Sequence, residues 1–319
     1  MRSSTLWLLC CFLSTNLSAA EPTEKTTEEP ELSVKEQVAQ TKKKLHESTK
    51  DTTLLNQRLM EELDAYENSF ALIPHKVNYI LPFTYQDSPN NAPYSDNRSV
   101  MHSEVKFQVS FKVPVIPKTV FAENGYLFFG YTSRSVWQAY NTDESSPFRD
   151  TNHEPEIMLM FTSDAEWLGA RIPAYTFGFS HQSNGQPGEL SRSWNRIYLD
   201  VMMEYEDFYL SFKPWWRLPE RSKRDINDVK GDDNPDIDDF YGYFELRGFR
   251  RIHDNELSLM IRNNLRSDNK GAIELNYSYP FSPKVRGYVQ IFHGYGETLL
   301  DYNHKNTRIG IGFMLNNWL

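Results

Sequence analysis

Residues 105–113 read Val-Lys-Phe-Gln-Val-Ser-Phe-Lys-Val, apolar at each odd position and polar or charged at each even one. Successive side chains of a strand point to opposite faces, so this stretch has one apolar face and one that carries two lysines. The same alternation returns at Leu257, Leu259 and Ile261, at Ile273, Leu275, Tyr277 and Tyr279, at Val285, Gly287, Val289 and Ile291, and at Ile309, Ile311, Phe313 and Leu315. Twelve candidate strands follow from it: 76–86, 103–114, 125–140, 154–163, 169–183, 193–205, 207–216, 237–250, 255–266, 269–280, 283–295 and 306–318. A soluble β-sandwich or lipocalin-like barrel also alternates, but it turns the apolar face inward and rarely sets charges opposite it over so many strands. The pattern therefore predicts an all-β chain, a twelve-stranded antiparallel transmembrane β-barrel, apolar outside and polar within. An even strand number is what a single-chain bacterial barrel requires.

Past the N-terminus no stretch approaches the roughly 18 consecutive apolar residues of a membrane helix. A closed barrel is the other way to satisfy every backbone group in lipid. Arg2, the apolar run from Leu6 to Leu13, and Leu17-Ser18-Ala19-Ala20 ahead of Glu21 predict a secretory signal peptide over 1–20. Both cysteines, Cys10 and Cys11, fall inside it, so no disulfide framework is expected in the mature chain. A formal net charge of −9 makes nucleic acid an unsuitable partner. The 14% aromatic content, with 18 Tyr and 7 Trp, suits the interfacial girdles of a membrane barrel.

Residues 21–65 hold no aromatic residue and are rich in Glu, Lys, Thr and Gln. That composition predicts a polar periplasmic extension over 21–67, solvated, partly helical or disordered, ahead of a barrel domain over 68–319. Its only periodicity is a ragged helical one at Val34, Val38, Leu45, Leu55, Leu59 and Leu63. Links after even-numbered strands are mostly short and those after odd-numbered strands mostly long, which predicts short periplasmic turns and longer extracellular loops. The connection after strand five then lies at the extracellular side, beside the outer leaflet.

That hairpin carries His181-Gln182-Ser183-Asn184-Gly185 and Ser191-Arg192-Ser193-Trp194-Asn195. His181 and Ser183 share the parity of Tyr175, Phe177 and Phe179; Asn195 shares that of Ile197, Leu199, Val201 and Met203. A serine hydroxyl is a poor nucleophile until a neighbouring base takes its proton. His181, two residues away on the same face, is the candidate base. Asn195, across the hairpin, is the candidate orienter, and it accepts the ring N–H without placing a costly carboxylate near hydrocarbon. An isolated His-x-Ser at a strand end reads as ordinary rim polarity; the shared face with Asn195 argues for a serine-hydrolase site. Its place on the apolar outer face suits a lipid substrate.

From about residue 68 onward the chain resembles the bacterial outer-membrane phospholipase A family. The resemblance rests on His181 to Gly185 with Ser191 to Arg196, on Glu144-Ser145-Ser146-Pro147-Phe148-Arg149, on Asp232-Asp233-Asn234-Pro235-Asp236-Ile237, and on Gly294-Tyr295-Gly296-Glu297 with Asp301-Tyr302-Asn303. It implies calcium-dependent hydrolysis of phospholipid acyl esters (phospholipase A1/A2, with lysophospholipase activity) by a reversible homodimer in the outer membrane. By position it implies Ser183 as nucleophile, His181 as base, Asn195 as orienting amide and the Gly185 backbone N–H at the oxyanion. The implied calcium ligands are the Ser191 hydroxyl, the Gln186 carbonyl and the carbonyl of the partner subunit's Ser145. Gln186 stands where the family pattern has arginine, and Pro187-Gly188-Glu189 alters the turn.

Two other classes remain open at this point. Another outer-membrane acyl hydrolase, such as a lipid A deacylase, could use a similar His-Ser pair without calcium. A porin-like barrel or adhesin would need no site, and the predicted lumenal charges Lys106, Lys112, Arg262, Glu274 and Arg308 discriminate: paired and packed, they leave no channel. The acidic run from Asp232 to Asp239 lacks the glycine and terminal glutamate of an EF-hand and is expected to be a solvated loop. Trp318 stands one residue short of the aromatic terminus usual in such barrels.

Overall fold

The computed structural model describes residues 33–47, 53–68, 71–94, 99–116, 124–225, 228, 231–282 and 285–316. The expected signal peptide and the terminal Trp318 and Leu319 lie outside the described residues.

Twelve strands form the wall: β1 Asn78–Gln86, β2 Ser103–Pro114, β3 Gly125–Trp137, β4 Asp150–Trp167, β5 Ala170–Ser183, β6 Ser193–Tyr205, β7 Phe208–Leu218, β8 Phe244–Ile252, β9 Asn255–Asn263, β10 Gly271–Pro280, β11 Arg286–Tyr295 and β12 Lys305–Asn316. Each pairs antiparallel with its sequence neighbours, and β12 closes on β1 from Arg308↔Gln86 to Asn316↔Asn78. A two-residue strand, Ile73–Pro74, adds to the end of β2. The two faces have the predicted polarity: Phe83 is 66% exposed, Val109 54% and Ile311 55%, whereas Lys106 is fully buried and Arg308 is 2% exposed. Apolar side chains thus cover the outside, as a membrane wall demands.

The predicted strand 237–250 is only partly one. Its first residues form a short helix, α3 (Ile237–Tyr241), and the strand begins at Phe244. Asp238, Asp239, Phe240 and Tyr241 have no period-two alternation, and Ile237 and Tyr241 bury on one side of the turn of helix. Gly242 ends it at φ +73°, with its α-carbon packed so closely on the Asn263 carbonyl that a Cβ would stand 2.0 Å from that oxygen. In the other direction, β4 extends past the predicted 154–163 at both ends.

Inside the barrel the charges pair. Glu104 accepts from Arg149 Nε at 2.6 Å and Arg308 Nη2 at 2.7 Å, while Glu297 accepts from Arg308 Nε at 2.8 Å and Lys106 Nζ at 2.9 Å. Lys112 pairs with Glu62 at 2.6 Å, Arg262 donates to the Gly296 carbonyl at 2.9 Å, and Glu274 accepts from Asn276 at 3.1 Å. All five charges chosen to discriminate a pore are thus engaged with neighbours, Glu274 along its own strand and the other four with residues of other segments.

Glu62 belongs to a second departure from expectation. Residues assigned to a solvated extension form α1 (Val34–Glu47) and α2 (Leu54–Tyr66), and these bury Val38, Leu45, Leu55, Leu59, Leu63 and Tyr66 against Tyr126, Phe128, Met158 and Met160 of the barrel interior. The Tyr66 hydroxyl donates to the Leu127 carbonyl at 2.6 Å, and Thr53, the N-cap of α2, donates to Glu204 at 2.9 Å. These partners sit at the rim with the short links Leu168–Gly169 and Glu206–Asp207, so the helices occupy that end of the lumen. Leu55, Leu59 and Leu63 repeat every four residues, and Tyr66, just beyond the aromatic-free stretch, completes their stripe.

Candidate active site

The β5–β6 hairpin determines which side chains meet at the opposite rim. Its register sets His181 against Asn195 and Ser183 against Ser193, and directly opposed residues share a face. On that face Phe177 is 50% exposed, Phe179 41% and Ile197 45%, and Trp216 of β7 stands 63% exposed beside them. The His181–Asn195 pair therefore continues the lipid-facing surface of the wall. His181 Nδ1 lies 2.8 Å from Asn195 Oδ1. A carbonyl oxygen only accepts, so Nδ1 carries the proton and Nε2 is left with the lone pair.

Ser183 ends β5 two residues beyond His181, half-buried, and its hydroxyl makes no hydrogen bond among the described residues. Two of the three predicted residues are thus bonded, and the third stands on the same face about 7 Å of strand rise away, a span that a side-chain rotation closes. Across the other edge of β5, His153 of β4 is the register partner of Ser183. Its Nδ1 is 2.7 Å from the Tyr131 hydroxyl. Parity on a single strand could not reveal this second imidazole, because it depends on the β4–β5 register.

The loop 184–192 is built around Asn184, which is 4% exposed. Its side-chain oxygen accepts from Arg192 N at 2.9 Å and Gln186 N at 3.3 Å, and its amide donates to the Leu190 carbonyl at 2.8 Å. Gly185 adopts φ +63° with open space around it, so backbone conformation rather than crowding selects glycine there. Ser191 donates to Asp233 Oδ2 at 2.9 Å, and Ser193 to the same oxygen at 3.0 Å. Asn234 Oδ1 accepts from Ser193 N at 3.0 Å, and Lys223 pairs with Asp233. The run expected to be a solvated loop therefore docks Asp233 and Asn234 onto the site. Both stood in a stretch that resembled the phospholipase family, and that was the available signal. Ser145 lies between β3 and β4, and its carbonyl accepts from the Trp137 indole at 2.7 Å. Asn195 has a further partner that sequence reading missed: its Nδ2 donates to Glu220 Oε1 at 2.8 Å.

Among the described residues no three His, Cys, Asp or Glu side chains converge as a metal centre. The oxygens bonded at Ser191 are instead its own hydroxyl, the Gly188 carbonyl and the Asp233 carboxylate, all hard oxygens.

The family model described as Phospholipase A1 matches residues 55–315. Phospholipase A1 of Escherichia coli strain K12 is 37% identical over 257 residues, which cover 80% of this chain and 84% of that one. Outer membrane phospholipase A from Escherichia coli, solved as an asparagine-to-alanine active-site mutant, superposes with a TM-score of 0.72 at 36% identity, over 79% of this chain and 95% of that one. The Salmonella typhi outer membrane phospholipase, solved as a dimer with bound calcium, gives a TM-score of 0.72 at 36% identity, over 79% and 94%. The match begins inside α2, upstream of the residue 68 at which the resemblance was read.

Proposed function

Since the chain belongs to the phospholipase A1 family, ester hydrolases of phospholipids in the bacterial outer membrane, we propose that His181, Ser183 and Asn195 form its catalytic triad. The observation that carries this reading is the His181–Asn195 bond on the outward, apolar face of the wall, 2.8 Å long and beside Ser183. A phospholipid in the surrounding leaflet reaches such a site without leaving the membrane plane, its acyl chains lying along Phe177, Phe179 and Ile197. The rim with the long connections is then the extracellular one, and residues 1–20 are the export signal.

His181 Nε2 takes the Ser183 proton as Oγ attacks the acyl carbonyl. Asn195 holds the imidazole in the tautomer this needs. The Gly185 backbone N–H donates to the oxyanion of the tetrahedral intermediate. Collapse leaves the acyl group on Ser183, and the proton on His181 passes to the departing lysophospholipid oxygen. Water, deprotonated by the same nitrogen, then attacks the acyl-enzyme and releases the fatty acid.

The oxygens at Ser191 and Gln186 would hold calcium, together with the carbonyl of the partner subunit's Ser145, and the Asp233 carboxylate bonded to Ser191 suits a hard divalent cation there. Bound calcium would supply positive charge beside the developing oxyanion. One chain offers few of the roughly six to eight oxygens the ion prefers, so reversible dimerisation is proposed to complete the shell. Purified protein on phospholipid micelles, with calcium and with chelator, tests the reading. Hydrolysis with calcium and none with chelator supports it; hydrolysis that chelator leaves intact overturns the calcium assignment, and no hydrolysis in either condition overturns the activity.

A further inference from the structure

An asparagine can orient a histidine only if its oxygen, not its nitrogen, faces the ring. The two ends of the amide have nearly the same shape, so something else must choose between them. Glu220 does so here. Its Oε1 accepts from Asn195 Nδ2 at 2.8 Å, and a carboxylate cannot donate, so this bond directs Oδ1 to His181 Nδ1. The two bonds make a chain from Glu220 through Asn195 to His181, with Ser183 on the same strand face.

Glu220 is held in place. It follows Leu218, the register partner of Asn195 and the last residue of β7, by two positions, so it extends the same face past the strand end. Next to it, the Arg221 carbonyl accepts from Asp232 N at 2.8 Å, and Ser222 bridges to Asp232, which pins the start of the long loop. Charged or titratable groups near the pair include Arg221, which pairs with Asp228 at 2.6 Å, His153 with its Tyr131 partner on the far side of β5, and the Asp233–Lys223 pair beside Ser191 and Ser193. Glu220 is the carboxylate that reaches Asn195.

We propose that Glu220 is a positioning residue of the catalytic site. It fixes the Asn195 amide so that its oxygen faces His181, and it places a negative charge one residue removed from the imidazolium that forms during acyl transfer. The site then has the electrostatics of a carboxylate-backed triad, while the carboxylate itself sits at the half-exposed rim rather than against hydrocarbon. This inference rests on the triad reading, and the experiment separates the two.

The rate at which a serine-directed organophosphonate labels Ser183 is measured together with kcat and KM separately, in wild type, Glu220→Ala, Glu220→Gln, Asn195→Ala and Asn195→Ala/Glu220→Ala. Heat-modifiable gel mobility checks that each barrel folds. If wild type is not labelled at Ser183, the triad reading fails, whatever Glu220 does. With labelling present, Glu220→Ala should slow both rates about tenfold or more, as loss of a charge-assisted bond predicts. KM should be unchanged, because Glu220 acts on the orientation of Asn195 and not on lipid binding. Glutamine keeps an acceptor for Nδ2, so Glu220→Gln should recover most of the rate. In the Asn195→Ala background, Glu220→Ala should cost nothing further. An unchanged Glu220→Ala variant, a Glu220→Gln variant as slow as Glu220→Ala, or a loss that persists without Asn195 would overturn the proposal.

Discussion

Replacing Asn195 by aspartate should impair this enzyme, although aspartate is the commoner orienter in serine-hydrolase triads, because of where the second oxygen would go. Asn195 Nδ2 now donates to Glu220 at 2.8 Å. An aspartate would set a carboxylate oxygen against Glu220 Oε1 at that distance, with the charge centres about 4 Å apart. Coulomb repulsion at that separation is about 1 kcal/mol in water and about 4 kcal/mol at the effective dielectric of a protein surface. The half-exposed rim lies between these limits, so the mismatch amounts to about fivefold to a thousandfold in rate. Asn195→Asp should therefore fall below wild type by that factor, while Asn195→Asp/Glu220→Gln, with an amide to donate in place of the lost one, should regain much of the activity. The assay is kcat/KM on mixed micelles at neutral pH for both variants and wild type. A double variant no better than Asn195→Asp at neutral pH would refute the reasoning.

His181→Ala should lower kcat by several orders of magnitude, whereas His153→Phe should leave most of it, since the base is the imidazole oriented by Asn195; micelle kinetics on both variants read the difference. Asn195→Ala should cost less than His181→Ala, because orientation is lost while the proton acceptor stays, and the same assay ranks them. Leu59→Ala, at a fully buried position of α2, should weaken docking of the helices by about 2–5 kcal/mol. Hydrogen exchange should then speed up in 54–66 and stay unchanged in β9 to β11. Chelation should abolish hydrolysis while far-ultraviolet circular dichroism and heat-modifiable mobility stay constant, because the barrel is closed by its own hydrogen-bond ladder.

Much of the barrel is legible in the sequence because a strand between lipid and a polar lumen writes its two faces into alternate residues. Val105 to Val113 give β2 with both ends correct, and 193–205 gives β6 likewise. Where the chain leaves the wall that code stops, and Ile237–Tyr241 becomes a helix on tertiary packing that no period reports. The extension misled for a related reason: Val34 to Leu63 show only a ragged helical period in a stretch without aromatics, and Tyr66 with the barrel interior supplies what they pack against. At the site, the facing of His181 and Asn195 was readable, because one turn fixes the register of the β5–β6 hairpin. Glu220, Asp233 and His153 arrive from other connections and another strand, and only the closed structure brings them to Asn195, Ser191 and Ser183.

The central claim, that Ser183 is the nucleophile of a lipid-facing triad, is tested most directly by covalent capture. Native protein in detergent with calcium, treated with a serine-directed organophosphonate and mapped by peptide mass spectrometry, should carry one adduct, on Ser183, and hydrolysis should fall in step with labelling. Ser183→Ala should fold, stay unlabelled and be inactive. An adduct on another residue that tracks the loss of activity, or full activity in Ser183→Ala, would contradict the account.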